Sequence, residues 1–269
     1  MGIALESVSI VGIFYSIKKN EKSDKFLLSF LVPFFLIVGS WSVKTIRYIL
    51  PLIPFLIIFG ARFLTDIHSI NRSILIKTIS KLIIATIIIS AFIYSLAYVN
   101  IYSVADTRVQ ASDWIYGNVK PGSIILLDNQ YHYTVPLGSN RGLVGVESSK
   151  KPIFTEKILW EMTEGKNKEY IKSHIRSNLA GADYIIVSEW YYHSFCNHYA
   201  PKLAPVQYNF YKELFAGNLN YKLIKIFNSS PNLFGKALND DKAELLFKVF
   251  DHPKIFIFKI NQPEQKAII

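Results

Sequence analysis

Long, nearly unbroken apolar runs fill the first hundred residues. Short apolar runs separated by polar, helix-periodic stretches fill the rest. A helical bilayer span takes roughly 20 apolar residues, with about 17 as a lower limit. On that rule residues 45–64 and 82–102 are full-length spans, and residues 26–42 just suffice. Residues 3–17 are shorter and include Glu6, so they read as a partial span. The pattern predicts three to four spans over residues 1–102, followed by a separate domain over residues 103–269.

In the second half, residues 123–128 (Ser-Ile-Ile-Leu-Leu-Asp) and 183–188 (Asp-Tyr-Ile-Ile-Val-Ser) are continuous apolar runs, the signature of strands buried on both faces. Asp106 is placed to cap a helix reaching about residue 119, and helices are also predicted over residues 154–162, 166–180 and 208–216. Residues 221–227, 247–250 and 254–260 alternate enough to be strands. Strand–helix–strand order predicts an α/β domain with a mostly parallel sheet. Residues 130–149 read as a loop region, and residues 261–269 as a frayed tail.

Composition sharpens the division. The chain of 269 residues is 51% apolar, with a mean hydropathy of +0.24. Residues 1–102 carry ten basic and four acidic residues, a net of +6, so more than half of the overall +10 lies in the membrane half. This favours topology and lipid contact over nucleic acid, and no basic run with interleaved aromatics supports the latter. Lys18, Lys19, Lys22 and Lys25 lie in one loop, and Arg62, Arg72, Lys77 and Lys81 in another. The positive-inside rule makes both loops cytoplasmic. Alternation then puts the 40–47 turn, and everything after residue 102, outside a plasma membrane crossed several times. The N-terminus shows no basic region or cleavage site of a signal peptide. Cys196 is the only cysteine, which excludes an intramolecular disulfide.

Lys44 and Arg47, with Tyr48 beside them, stand on the outer side, and the two cations break the charge rule. Two readings remain open. The cations snorkel to the interface and meet headgroups non-specifically. Alternatively, they hold an anionic lipid headgroup such as a polyprenyl phosphate, with lysine as a point charge, arginine as a forked donor and tyrosine as a third donor. On an α-helix the three residues fall at i, i+3 and i+4, one face, with Pro51 and Pro54 loosening the ladder below.

Lys44-Thr-Ile-Arg47-Tyr48-Ile-Leu50-Pro51-Leu-Ile-Pro54 resembles a segment of the membrane-embedded glycosyltransferases of the GT-C class, closest to the protein mannosyltransferase and aminoarabinose transferase branch. Asp106-Thr-Arg-Val-Gln-Ala-Ser-Asp113-Trp114-Ile115, Asn118 and Pro121-Gly122-Ser123 are similar to the segment after the last span of such proteins, where an external α/β domain begins. Phe250-Asp-His-Pro-Lys-Ile-Phe-Ile-Phe258 looks like their final strand. The resemblance implies transfer of a sugar from a polyprenyl-phosphate donor to an envelope acceptor (protein, lipid or glycan), with Lys44, Arg47 and Tyr48 at the donor's phosphate. In that class the catalytic acid lies in the first external loop of a chain with many more spans. The acids before residue 60 are Glu6, Glu21 and Asp24, and none matches that position. The expectation is therefore the C-terminal part of such an enzyme, without the acid and inactive alone. The alternative is a non-catalytic, membrane-anchored external binding module.

Further candidates lie at the C-terminal ends of the two buried strands, where ligands favour an open α/β sheet. Asp128, Tyr131 and His132 follow one strand, and Glu189 and Trp190 follow the other. They are candidates for a sugar or acceptor groove, against the alternative of ordinary loop residues beside a helix-packed sheet. His193, Cys196 and His198 lack a fourth metal ligand. No cofactor motif is evident, and a divalent metal in a full-length enzyme stays open. Hydrolase and nucleotide-binding motifs are missing from the sequence.

Overall fold

A computed structural model of the chain describes residues 2–41, 45–70, 74–128, 134–137, 154–160, 163 and 165–261. The chain forms two compact units. One comprises Met1–Asn100 with Pro231–Asn239, and the other Ile101–Ser230 with Asp240–Ile269.

The first unit holds α1 (Ile3–Lys19), α2 (Lys22–Ser40), α3 (Ile53–Ile70) and α4 (Ile74–Val99), with a 3-10 helix over Ile46–Leu52 running into α3. Among the described residues three stretches are long and apolar enough to cross a membrane: Lys22–Ser40, Ile46–Ser69 and one within Lys77–Asn118. Helix α1, at 17 residues, sits at the lower limit for a span. Large apolar side chains such as Phe35, Ile88 and Phe92 are exposed on these helices, as lipid-facing residues are.

Side-chain contacts fix the directions. Gly12 packs on Phe59, Tyr15 on Phe63, and Lys19 pairs with Asp66, so α1 and α3 run parallel. Asp24 pairs with Arg62 and Phe30 stacks on Phe55, so α2 runs against α3. Gly2 meets Tyr94 and Ala91, while His68 bonds Ser80, so α4 also runs against α1 and α3. One end of the unit therefore gathers Lys19, Glu21, Asp24, Arg62 and Asp66. The other gathers Trp41, Tyr48, Tyr94 and Tyr98.

Two devices hold the bundle. Lipid tails are as apolar as leucine, so helix association depends on close packing of small residues and on polar bonds. Ser9, Gly12 and Ser16 form a buried small-residue face on α1. A Cβ on Gly12 would fall 2.2 Å from the Phe59 carbonyl oxygen. At the charged end, Arg62 bridges Glu21 and the fully buried Asp24, Lys19 bonds Asp66 at 2.7 Å, and the Tyr15 hydroxyl donates to Asp66 at 3.1 Å. Glu21 and Asp24 also form a capping box that starts α2.

The second unit is an α/β domain. Helix α5 (Thr107–Asn118) is capped by Asp106, which accepts the Arg108 N–H at 2.8 Å. Strands β1 (Ile124–Leu127) and β2 (Thr155–Ile158), helix α6 (Lys168–Leu179) and strand β3 (Tyr184–Ser188) follow. Helices α7 (Glu189–Phe195), α8 (Ala200–Leu203) and α9 (Pro205–Phe215) precede β4 (Tyr221–Phe227). A two-strand hairpin, β5 (Asn232–Leu233) and β6 (Lys236–Ala237), belongs to the first unit. Helix α10 (Leu245–Asp251) and β7 (Ile255–Ile260) complete the second.

The sheet order is β2-β1-β3-β7-β4. Strands β2, β1 and β3 are parallel, while β7 is antiparallel to both β3 and β4. The sheet is thus mixed, and the expected parallel pattern holds over its β2-β1-β3 side. The continuous apolar runs have a simple cause: Leu126, Ile185 and Val187 pack with α6 and α9 on one face, while Ile125, Leu127 and Ile186 pack with α5 on the other.

Two local expectations are corrected. Residues 155–158 form an edge strand instead of a helix, because β1 offers an open ladder that Thr155 and Leu159 complete by donating to Ser123 and Leu127. Residues 247–250 lie in α10 instead of a strand, because Glu244 caps the Phe247 N–H at 3.0 Å and Pro253 follows the helix end.

The α1–α3 contact yields a direct test. Gly12→Ala must push α1 off the Phe59 backbone, an overpacking cost of about 1–3 kcal/mol. Gly39→Ala meets nothing within 4 Å and gains a better helix former. Thermal melting of the purified chain in detergent should fall clearly for the first variant, and hold or rise for the second.

Candidate functional site

The Arg47–Tyr48 segment opens the apolar stretch Ile46–Ser69, which is long enough to cross a membrane. Thr45 is extended and buried, and the helix begins at Ile46 in 3-10 form. The prolines explain the form. Pro51 and Pro54 have no N–H to give to the carbonyls four residues earlier, so the first turns close with i to i+3 bonds such as Tyr48 N–H to Thr45 O at 3.1 Å. The described part of the expected segment, from Ile46 to Leu52, is thus a 3-10 helix and not an α-helix. With three residues per turn, Arg47 and Tyr48 leave the helix about 120° apart. Arg47 is exposed; Tyr48 is half-buried with its ring edge against Trp41, centroids 5.1 Å apart. Lys44 lies outside the described residues.

Among the groove candidates, Tyr131 and His132 also lie outside the described residues. Asp128 is fully buried, and its Oδ2 accepts the Ser188 N–H at 2.6 Å, tying the end of β1 to the end of β3. Glu189 is 1% exposed and accepts from Lys248 Nζ at 2.6 Å and from the Lys254 N–H at 2.9 Å. Its His193 neighbour stands 3.4 Å away. Trp190 is half-buried. Both carboxylates are thus buried at the sheet edge as internal acceptors and do not line an open groove. The strand-end argument could not see Lys248, some sixty residues later in the chain.

Burial pushes the Glu189 carboxyl up, but the bonds from His193, Lys248 and the Lys254 backbone outweigh it and hold the group at about 2. Burial raises the Cys196 thiol to about 11, so it stays protonated and unreactive at neutral pH. Among the described residues no group of three or more His, Cys, Asp and Glu side chains is arranged to hold a metal.

Sequence reasoning also missed a small cleft in the second unit, of about 150 Å³, lined by residues 101–102 and 104–107, Ser229 and residues 250–252. The Tyr102 hydroxyl donates to Asp251 at 2.6 Å, and Thr107 donates to the Pro253 carbonyl at 2.6 Å. His252 Nε2 stands 2.6 Å from Asp240 Oδ2, and its buried Nδ1 has no hydrogen-bond partner among the described residues. The cleft is large enough for a few hydroxyl groups or waters. Its polar groups are mostly committed to one another, so the arrangement reads first as the framework that fixes the start of α5 against the end of α10.

The Glu189 cluster predicts a pH response. The folded carboxyl titrates below the unfolded one, so its contribution is complete above the ordinary value of 4.5 and is lost as pH falls toward about 2. Glu189→Gln leaves Lys248, itself 2% exposed, without its counter-charge, a cost of about 3–5 kcal/mol. Thermal melts of the full chain in detergent between pH 7 and pH 3 should show a strongly destabilised variant. Its melting temperature should also depend less on acid than that of the wild type.

No protein-family model matches the chain, and no curated protein matches its sequence.

Proposed function

We propose that the chain is the donor-holding, C-terminal portion of an integral-membrane glycosyltransferase that takes its sugar from a polyprenyl-phosphate carrier. The observation that carries this reading is the position of Arg47 and Tyr48. They open a proline-bearing span at the end of the bundle opposite the Lys19–Arg62 charge cluster, beside Trp41. A guanidinium and a phenol at an interface are donors suited to phosphate oxygens. The resemblance of the 44–54 segment to the GT-C class points the same way.

In this reading an acceptor hydroxyl oxygen attacks the anomeric carbon of the donor. The bond from that carbon to the phosphate oxygen breaks, and the bonding pair leaves with the lipid phosphate. Arg47 and Tyr48 stabilise the charge that grows on the departing oxygen. The hydroxyl proton passes to a carboxylate, and this reading assigns that role to none of the chain's described acids. Glu21, Asp24 and Asp66 are bound up with Arg62 and Lys19 at the far end of the bundle. Asp128 and Glu189 are buried acceptors. The bilayer, the lipid-linked donor and an envelope acceptor are the implied partners, with residues 103–269 outside the plasma membrane. The alternative, a membrane-anchored external binding module, draws on the second unit's self-contained core on both faces of its sheet.

The two readings separate in a binding experiment on the full chain in lipid nanodiscs. Trp41 fluorescence, which reports on the neighbouring Tyr48, should saturate with undecaprenyl phosphate and not with the uncharged polyprenol. Arg47→Ala removes charge-assisted bonds each worth about 1.5–3 kcal/mol, so binding should weaken roughly 10- to 150-fold. Equal response to both lipids, or unchanged affinity in the variant, would sink the donor site and leave the anchored module.

A further inference from the structure

The segment Pro231–Asn239 leaves the second unit, joins the first, and returns. It forms the hairpin β5–β6, paired Asn232 to Ala237 and Leu233 to Lys236. Strand β5 packs on α4. Asn100, directly after α4, donates its side-chain amide to the Asn232 carbonyl at 3.0 Å and to the Asn232 side chain at 2.6 Å. The hairpin is therefore pinned at the end of the last span-length helix.

The tip is unusual for an ordinary turn. Phe234 and Gly235 both have positive φ, +50° and +77°. Turns of this kind favour asparagine or glycine, and a bulky side chain there is a strained outlier. Phe234 accepts that strain while 95% exposed, with Lys236 and Leu238 exposed beside it. Nothing in the turn itself rewards the ring.

A bilayer interface would. The end of the unit to which the hairpin is pinned carries Trp41, Tyr48, Tyr94 and Tyr98, the last two with hydroxyls 3.2 Å apart. Aromatic residues collect at the headgroup level of membrane proteins, and a lysine beside them suits anionic lipid. We propose that the β5–β6 hairpin is an interfacial membrane anchor: Phe234 dips into the headgroup and upper acyl layer of the leaflet, and Lys236 meets lipid phosphate. The inference rests on the reading of α2, α3 and α4 as membrane spans. It does not depend on any donor bound at Arg47.

The test uses the full chain in liposomes, with Phe234→Cys in a Cys196→Ser background and an environment-sensitive fluorophore on the new thiol. A second probe on Lys172→Cys, an exposed α6 position, serves as the water reference. Emission from position 234 should be blue-shifted relative to position 172. Lipid quenchers placed about 5–10 Å below the phosphates should quench it about twofold more than quenchers at the bilayer centre. Phe234→Asn, which suits the turn better, should leave the chain folded and weaken quenching of a probe on Leu238→Cys. Water-like emission at 234 from protein that resists carbonate extraction overturns the anchor alone. Release of the protein by carbonate overturns the membrane reading and the anchor with it. Blue-shifted emission that no lipid quencher reduces assigns the tip to a protein contact and also overturns the proposal.

Discussion

Arg62 is the residue on which the membrane unit depends. One guanidinium reaches Glu21 and the buried Asp24 on α2 and approaches Asp66 on its own helix, while Lys19 of α1 closes the same network. In a helix bundle bathed by lipid, apolar contact alone selects no register, since a leucine gains little by exchanging lipid for protein. A buried carboxylate that must find a cation does select one. It sets the α1–α2 turn beside the last turns of α3, and so delivers Tyr48, Trp41 and the end of α4 to the opposite end. The Gly12–Phe59 contact then fixes how closely α1 can approach.

The same opposition of ends separates two kinds of chemistry in the first unit. At one end Glu21, Asp24 and Asp66 are bound into a network with Lys19 and Arg62. The other end carries Arg47 and Tyr48, the latter with its ring edge against Trp41. The second unit follows a different logic. Its carboxylates Asp128 and Glu189 are spent on backbone N–H groups and on Lys248, where they join strand ends across the sheet. A strand-end acid is therefore an ambiguous signal: the position that can present a carboxylate to a ligand can equally turn it inward.

Much of the fold was legible because it follows from hydrophobic pattern. The span-length apolar helices, the buried strands β1 and β3 and the helix capped by Asp106 are dictated by local sequence, and the structure has them. Local sequence failed where long-range pairing decides. Thr155–Ile158 became a strand because β1 had a free edge, and Leu245–Asp251 became a helix because Glu244 capped it. At the candidate site, the positions of Arg47 and Tyr48 at the mouth of a span were readable, but their face was not. Pro51 and Pro54 act several residues away by withholding donors, and they convert the α-helical register to a 3-10 one. Partnerships such as Glu189 with Lys248 and Asp240 with His252 leave no mark in residue spacing.

The central claim is that the Arg47–Tyr48 end faces the outside while the Arg62 end faces the cytoplasm. The most direct measurement is labelling of single cysteines in intact cells by a membrane-impermeant maleimide, in a Cys196→Ser background. Trp41→Cys should label from outside, and Ser69→Cys should label only after the membrane is opened. Labelling of Ser69→Cys in intact cells, with Trp41→Cys protected, would contradict the account by putting the Arg47–Tyr48 end in the cytoplasm.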